Sequence, residues 1–392
     1  MSIYLDNAAT TPLRAEVVAA MSPFWLDNFH NPSGIYKGSR GAKAAMEQAR
    51  EHIAHAICAD AKGIYFTGSG TESINWAIKG IAGANPHKKH IIISNIEHPA
   101  VYEVCEYLEK FGYQITYLDV DGDGIVCADS LKSAIRPDTL MASIMFANNE
   151  IGTIQPIAEI GQICRENGIY FHTDAVQAFG REFIDVNKMN IDLLSVSAHK
   201  LHGPKGVGAL YVRPGIKLDN LIHGGGQERK RRAGTENVPG IVGFGEAARL
   251  AYQEIEFEPA RQAELRDFYI NQVLERIPHA RLNGHKTRRL CGIANISFDF
   301  IEGESILLML DMRGFAASSG SACTSGSLDP SHVLLALGLD HEQAHGSLRV
   351  SIGRETTEAD LAALVNELEI IVNRLREMSP LYEDFLKGGN GK

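Results

Sequence analysis

The stretch Ile191-Asp192-Leu193-Leu194-Ser195-Val196-Ser197-Ala198-His199-Lys200 is an apolar run that ends in polar residues, and Gly203-Pro204-Lys205-Gly206 follows it. Its apolar part predicts a buried strand, and the glycines predict a turn directly after it. An isolated lysine is usually a solvated surface residue. Lys200 instead follows a strand end in a glycine-flanked loop, which places it well to form a Schiff base.

The same alternation of strands and helices extends over residues 15–250. Short β-rich runs predict strands at 63–66, 90–94, 114–118, 140–146, 169–173, 193–197 and 208–212. Helices are predicted between them, among others at 40–57, 73–81, 101–111 and 157–167. This order predicts an α/β fold in which a mostly parallel seven-stranded sheet carries helices on both faces. Ligands of such sheets bind beyond the carboxyl ends of the strands.

The C-terminal third has a different pattern. A long charged helix is predicted from Glu246 to Ile277, as a hinge into a second region. Strand-like runs at 294–298, 316–319 and 348–352 and a helix at 361–377 predict a smaller α+β domain. The polar tail from residue 381 to 392 is expected to fray.

Composition excludes several classes of protein. The formal charge of −10 argues against broad electrostatic binding to nucleic acid or to an anionic membrane. The six cysteines include no C-x-x-C pair, so a zinc ribbon or a thioredoxin motif is not expected. The N-terminus lacks the pattern of a signal peptide, and no apolar run is long enough to span a bilayer. We therefore expect a cytoplasmic protein.

Two further strand ends carry residues that suit pyridoxal 5'-phosphate. Asp174 ends an apolar strand, where a carboxylate can keep a pyridine nitrogen protonated, although taken alone it is more typical of a helix N-cap. The loop Gly68-Ser69-Gly70-Thr71 joins a strand to a helix, and its glycines and hydroxyls suit a phosphate group. With Lys200, these features predict a pyridoxal-phosphate enzyme.

Two more residues narrow the reaction. His98 follows a strand, where it could stack on a cofactor ring and exchange protons, or be an ordinary structural histidine. Cys323 lies in the run Ala317-Ser318-Ser319-Gly320-Ser321-Ala322-Cys323-Thr324-Ser325-Gly326-Ser327, while the other cysteines lie in apolar or helical stretches. This pattern favours an exposed, mobile thiol that reaches a substrate and then a partner.

The chain resembles the cysteine desulfurases of the NifS/IscS type, in the class-V aminotransferase superfamily, nearly from end to end. The matching motifs are Tyr4–Pro12, His30–Gly34, Glu97–Val101, Asn148–Gly152, Asp174–Gln177, Ser197–Lys200, Gly224–Glu228, Gly234–Asn237, the Cys323 loop and Ser347–Ser351. The long serine-glycine loop resembles the group of the family that has a mobile cysteine loop. The implied fold is the aminotransferase-like fold type I, with a large cofactor-binding domain at 15–255. Residues 1–14 and 256–392 would form the small domain that carries the cysteine loop.

The resemblance also implies how the cofactor is held. Lys200 would carry pyridoxal phosphate covalently, His98 would stack on its ring, and Asp174 would pair with its pyridine nitrogen. Asn149 and Gln177 would contact the side of the ring that carries its oxygen. The phosphate would be held by Thr71, Ser197 and His199, and Gly70 would let it approach closely. Thr235 would reach the phosphate of the other subunit, which implies a homodimer.

The implied substrate is L-cysteine. Arg349, with Asn31 near it, would bind the substrate carboxylate, because a guanidinium offers two parallel donors to a carboxylate. The Cys323 thiolate would take the substrate sulfur as a persulfide, and L-alanine would leave. The persulfide would then pass sulfur to an acceptor such as an iron–sulfur scaffold protein. A selenocysteine lyase would use the same residues, whereas an aminotransferase would have no need of Cys323.

A second class of function is suggested by His341-Glu342-Gln343-Ala344-His345, which fits the zinc-binding H-E-x-x-H pattern. A zinc hydrolase would need these histidines on one helix face. Gly338 and Gly346 leave little room for that helix, and no third ligand has a matching spacing. We therefore expect no metal site here.

Overall fold

The computed structural model describes residues 2–319 and 330–388, so Cys323 lies outside the described residues. The strands are β1 Ile3–Tyr4, β2 Ile64–Thr67, β3 His90–Ser94, β4 Gln114–Leu118, β5 Thr139–Ser143, β6 Tyr170–Asp174, β7 Leu193–Ser197, β8 Gly208–Val212, β9 Ala280–Asn283, β10 Ile293–Phe298, β11 Phe315–Ala316 and β12 Ser347–Ser351. The helices are α1 Ala15–Met21, α2 Pro23–Leu26, α3 Lys37–Ala56, α4 Gly70–Ala84, α5 Pro99–Glu109, α6 Ala128–Ala134, α7 Ile157–Glu166, α8 Gln227–Lys230, α9 Val238–Gln253, α10 Glu258–Arg276, α11 Gly303–Met312, α12 His332–Ala336, α13 His341–His345, α14 Glu358–Glu377 and α15 Pro380–Gly388.

The main sheet has seven strands in the order β2-β8-β7-β6-β5-β3-β4. Its central strands are parallel, and β8 pairs antiparallel with both β2 and β7. The prediction of a mostly parallel seven-stranded α/β sheet is therefore confirmed. Because β6 and β7 are adjacent and parallel, Asp174 and the turn that carries Lys200 lie at the same edge of the sheet.

Apolar residues cover both faces of this sheet, as a parallel sheet requires. Successive side chains of a strand point to opposite faces, so Ile92 of β3 belongs to one hydrophobic cluster and Ile91 and Ile93 belong to another. Helices α3 and α9 supply much of the first cluster, and α4 and α5 supply much of the second. The two layers of helices make the sheet a buried platform for the residues at its edge.

A second sheet, with the antiparallel order β12-β10-β9, packs with α10, α11 and α14 around a separate cluster. Leu5, near the start of the chain, is buried in this cluster. Asp6 makes an isolated bridge to Ser351, and Ser318 makes one to Arg349. These contacts support the proposed small domain of residues 1–14 and 256–392, whose bounds we retain as a proposal.

Two predictions about helices are wrong. The predicted single helix from Glu246 to Ile277 is two helices, α9 and α10, and Pro259 lies in the first turn of α10. Proline has no N–H and its ring clashes with the preceding turn, so a helix cannot run through it undisturbed. The tail does not fray from residue 381, because α15 extends to Gly388 and Phe385 packs against Phe300. None of the described helices is both long and apolar enough to cross a membrane.

A buried ion pair fixes the short segment α8, which is a strained turn rather than a regular helix. Glu228, Arg229 and Lys230 have left-handed φ angles of 43°, 55° and 65°, which are costly for residues other than glycine. Arg50 of α3 donates to both carboxylate oxygens of Glu228, at 2.8 and 2.9 Å. The backbone N–H of Phe66 also donates to Glu228, at 2.8 Å. The pair therefore ties α3, β2 and the turn together.

We expect Glu228→Gln to lower the free energy of unfolding by about 3 kcal/mol, because it leaves the buried Arg50 charge without its partner. Urea unfolding of the variant and the wild type measures the difference. The control is Glu383→Gln, which breaks the exposed pair with Lys387 and should have no measurable effect. An equally small effect for both variants would contradict the role given to the Arg50–Glu228 pair.

Candidate active site

A cavity of about 460 Å³ lies at the carboxyl edge of the main sheet. Asp174 ends β6, Lys200 ends a short 3-10 turn after β7, and His98 caps the helix that follows β3. All three residues line the cavity. A larger cavity, of about 790 Å³, lies beside α11 and α13 and is lined by none of the predicted site residues that the structure describes.

Most of the predicted site residues come together in this one cavity. It is lined by Gly70, Thr71, His98, Asn149, Asp174, Gln177, Ser197, His199, Lys200 and Arg349. Asn31 and Thr235 are exposed and do not line it. The roles that the resemblance implies for these two residues therefore stay predictions, as does the role of Cys323 outside the described residues.

The ammonium group of Lys200 is held by the beginning of the chain. Its Nζ donates to the carbonyl oxygens of Ala8 and Ala9, at 2.6 and 2.7 Å. Gln177 Nε2 donates to the same Ala8 oxygen at 2.9 Å. Arg181 donates to the carbonyl oxygens of Lys200 and Gln177, at 2.7 and 3.0 Å. The lysine is thus fixed on both its side chain and its backbone.

Asp174 is a buried carboxylate with one oxygen still available. Its Oδ1 accepts from the backbone N–H of Val176 at 2.9 Å, and no group in the described part of the chain donates to Oδ2. Burial raises the pKa of Asp174 from 3.8 to about 6. A buried carboxylate is stabilised by a cation or a strong donor, and the protonated nitrogen of a pyridine ring is such a group.

The start of α4, which also lines the cavity, suits a phosphate. Gly70 and Thr71 begin α4, where backbone N–H groups lack partners within the helix and attract anions. His199, Ser197 and Lys205 line the same cavity. Burial, with help from Lys200 and Lys205, lowers the pKa of His199 to about 4, so its imidazole is neutral at pH 7. A lysine, a carboxylate and an anion-binding helix end thus fit the three ends of pyridoxal phosphate.

The structure leaves little room for a side chain at Gly70. A Cβ at Gly70 would lie 2.9 Å from Cγ2 of Val176 and 3.4 Å from Cβ of Ser197. The space beside the first turn of α4 is therefore already filled. A larger residue here would displace the wall of the cavity that faces the phosphate-binding groups.

His98 is a neutral histidine whose tautomer is set by its own helix. Its Nδ1 accepts from the backbone N–H of Ala100 at 3.1 Å, so in the neutral ring the proton is on Nε2. The pKa of His98 is lowered to about 4, mainly by burial and further by the charges of Lys200 and His332. His98 can therefore exchange a proton with a ligand only through Nε2.

Arg349 of β12 brings a buried guanidinium to the cavity. Its Nη1 donates to the carbonyl oxygen of Asn149 at 3.0 Å, and its Nη2 contacts Oδ1 of Asp6 at 2.8 Å. Its Nε is buried and finds no acceptor among the described residues. The backbone of Arg349 pairs with that of Ser318, the second residue of the cysteine-containing run. The arrangement can bind a ligand carboxylate through the remaining N–H groups.

Sequence reasoning missed several groups at this site. Ala8 and Ala9 contribute carbonyl oxygens, which no residue type reveals. Glu97 is fully buried, accepts from Ser94 Oγ at 2.5 Å and from Met145 N at 2.9 Å, and leaves Oε2 without a partner. Burial, together with the charge of Asp174, raises its pKa to about 8. In the sequence, only the position of Glu97 directly before His98 points to a role at this site.

The H-E-x-x-H pattern forms α13, a helix of five residues. His341, Glu342 and His345 are exposed. Over residues 2–319 and 330–388, no group of three or more histidines, cysteines or carboxylates is arranged to bind a metal ion.

Comparisons with known proteins agree with this geometry. The family model described as aminotransferase class-V matches residues 3–364. The chain is 58% identical to a cysteine desulfurase IscS from Methanosarcina thermophila, over 97% of this chain and 94% of that protein. A solved NifS-like protein is similar with a TM-score of 0.90 and 35% identity, covering 96% of this chain and all of that one. Another solved structure, SspA in complex with cysteine, has a TM-score of 0.80 and 40% identity, with 90% and 99% covered.

The chain therefore belongs to the class-V aminotransferase family, with the α/β fold that this family shares. Within that family it belongs with the cysteine desulfurases.

We expect Glu97→Gln to change how stability depends on pH. The folded protein binds this proton up to about pH 8, whereas the unfolded chain releases it near 4.5. The free energy of unfolding of the wild type therefore falls as pH rises from about 4.5 to about 8. Relative to Glu97→Gln, which has no such proton, the loss is on the order of 4 kcal/mol. Urea unfolding of the cofactor-free protein at pH 5 and pH 8.5 measures it. If the free energies of unfolding of wild type and variant depend on pH in the same way, the buried, protonated state of Glu97 is wrong. The control is Glu264→Gln, at an exposed glutamate, which should keep the pH dependence of the wild type.

Proposed function

We propose that this protein binds pyridoxal 5'-phosphate and converts L-cysteine to L-alanine, with transfer of the sulfur to Cys323 as a persulfide. The observation that carries the proposal is the meeting of Lys200, Asp174 and the start of α4 in one cavity. When bound, the cofactor supplies an electron sink that stabilises negative charge at the substrate Cα. All other steps fall to side chains of this chain.

The proposed cofactor contacts follow the shape of the cavity. Asp174 Oδ2 would keep the ring nitrogen protonated, and Lys200 would bind the aldehyde carbon. His98 would cover the ring, and the phosphate and ring-oxygen contacts would come from Gly70, Thr71, Asn149, Gln177, Ser197 and His199. The neutral state of His199 fits a donor to phosphate, because an imidazole N–H can donate without a further charge.

The substrate would be placed by its carboxylate. Arg349 binds the carboxylate, with Asn31 proposed nearby, and Lys200 Nζ removes the proton from Cα. The Cys323 thiolate then attacks the substrate sulfur, and the bond between that sulfur and Cβ breaks. Protons return to the three-carbon product from Lys200 and from Nε2 of His98. The balance is L-cysteine plus a thiol giving L-alanine plus a persulfide, with no external oxidant or reductant.

A homodimer is part of the proposal. The segment from Phe24 to Tyr36 exposes Trp25, Leu26, Phe29 and Ile35, an apolar patch that a second copy of the chain would cover. Asn31 lies in this segment, and the exposed Thr235 would reach the phosphate bound by the partner. The site would then be completed by residues of both subunits.

The sulfur acceptor is proposed to be a protein such as an iron–sulfur scaffold, because a persulfide is a donor that needs a nucleophilic partner. We place the reaction in the cytoplasm, where thiols stay reduced. The five described cysteines are free thiols. We also propose the mobile-loop group of the family, from the length of the serine-glycine run around Cys323.

The experiment that tests the function is the absorption spectrum of the purified protein before and after L-cysteine, with alanine assayed alongside. A yellow species, stoichiometric alanine and a persulfide on Cys323 are expected. A colourless protein that takes up no pyridoxal phosphate would overturn the proposal.

We expect Cys323→Ser to bind the cofactor and L-cysteine normally but to release sulfide at least about 100-fold more slowly, because a serine hydroxyl is a much weaker nucleophile than a thiolate. Sulfide release in the presence of a thiol reductant measures the effect. The control is Cys127→Ser, at an exposed cysteine that is distant from Cys323 in the sequence. It should release sulfide as fast as the wild type. Near-normal sulfide release by Cys323→Ser would contradict the persulfide step.

We expect Leu26→Asp to convert the dimer to a monomer, because it places a charge in the apolar patch where Leu26 is 82% exposed. Light scattering on the purified protein gives the mass. Leu308→Asp, at a leucine that is 69% exposed on α11, is the matched control and should remain dimeric. A Leu26→Asp protein that keeps the dimer mass would rule out this patch as the interface.

A further inference from the structure

The guanidinium that is proposed to bind the substrate already contacts a carboxylate of the chain itself. Arg349 is almost fully buried, and its Nη2 lies 2.8 Å from Oδ1 of Asp6. Glu150, the other nearby carboxylate, bonds to Ser331 Oγ at 2.5 Å instead. Among the described residues, Asp6 is therefore the carboxylate that pairs with Arg349.

Arg349 still has donors to offer. A guanidinium has five N–H groups, two on each terminal nitrogen and one on Nε. Asn149 O and Asp6 Oδ1 each take one from a terminal nitrogen. One N–H remains on each terminal nitrogen, which is the number that a bidentate carboxylate needs. A ligand carboxylate at Arg349 would then lie close to the carboxylate of Asp6, which has the same charge.

The position of Asp6 is fixed by its own segment. The Tyr4 hydroxyl donates to the carbonyl oxygens of Asp6 and Thr10, at 2.9 and 2.8 Å, and closes the turn between them. The carbonyl oxygens of Ala8 and Ala9, within that turn, accept from Lys200 Nζ. The same short segment therefore contacts both the carboxylate-binding arginine and the lysine that acts at Cα.

We propose that Asp6 is an internal substitute for the substrate carboxylate, and that its charge sets the affinity of the site for amino acids. This rests on the proposed function, in which Arg349 binds that carboxylate. In the ligand-free protein Asp6 neutralises Arg349, whose burial without a partner would be costly. In the complex Asp6 opposes the incoming carboxylate. Both effects weaken binding of carboxylate ligands, and neither acts on an amine that lacks the carboxylate.

The test compares two ligands on the holoenzyme. L-alanine has the α-carboxylate, and ethylamine has the same amine without it. Their dissociation constants are measured by the change in cofactor absorbance and by calorimetry. We expect Asp6→Asn to bind L-alanine about tenfold more tightly, as removal of one nearby charge predicts, and ethylamine as the wild type does. Its ligand-free melting temperature should fall, and L-alanine should raise it by more than in the wild type.

Two controls separate the possible failures. Asp192→Asn removes a carboxylate of similar exposure, which pairs with the partly buried Arg213 3.1 Å away, and should lower stability without changing either ligand's affinity. Arg349→Gln should lose the preference for L-alanine over ethylamine. If Arg349→Gln keeps that preference, the proposed carboxylate site itself is wrong. If it loses the preference but Asp6→Asn binds L-alanine no more tightly, only the role of Asp6 is overturned.

A folding defect of Asp6→Asn would not end the test. Asp6→Ser removes the same charge with a smaller side chain and is measured in the same way. Tighter L-alanine binding by Asp6→Ser supports the proposal, and unchanged or weaker binding overturns it.

Discussion

The two hydrogen bonds from Lys200 Nζ to the carbonyl oxygens of Ala8 and Ala9 join the first residues of the chain to the end of β7. The segment that supplies these carbonyl oxygens also holds Asp6 against Arg349 and Leu5 in the cluster that supports β12. The lysine and the arginine, 149 positions apart in sequence, thereby share one cavity.

Burial decides the charge state of the groups around this junction. Desolvation disfavours charge, so it raises the pKa of carboxylic acids and lowers that of imidazoles. His98 and His199 are consequently neutral at pH 7, while Glu97 keeps its proton to about pH 8. Among the described residues, the lysines and arginines that line the cavity are Lys200, Lys205 and Arg349. They face an anionic ligand with a phosphate at one end and a carboxylate at the other, which suits the proposed complex of cofactor and amino acid.

Asp6 gives the buried Arg349 a partner of opposite charge before any ligand binds. A buried arginine needs a partner at all times, and Asp6 serves in the ligand-free protein. Such a partner limits affinity, which suits an enzyme that must release its amino-acid product. The same reasoning does not apply to Asp174, whose free oxygen has no donor in the described chain and fits a bound ring nitrogen.

Local sequence patterns are enough to predict the seven strands of the main sheet, because side-chain periodicity reports local burial, and β3, β4, β7 and β8 lie where the apolar runs predicted them. These patterns also show which polar residues follow strand ends, since those motifs are contiguous. The partners of Lys200, Arg349 and Glu97, in contrast, follow from the packed fold. Those partners are backbone carbonyls or residues far away in the chain, and no local pattern encodes a contact between segments that meet only when the whole core is packed. The end of α9 lies a few residues before Pro259, a local signal that the prediction of one continuous helix overlooked.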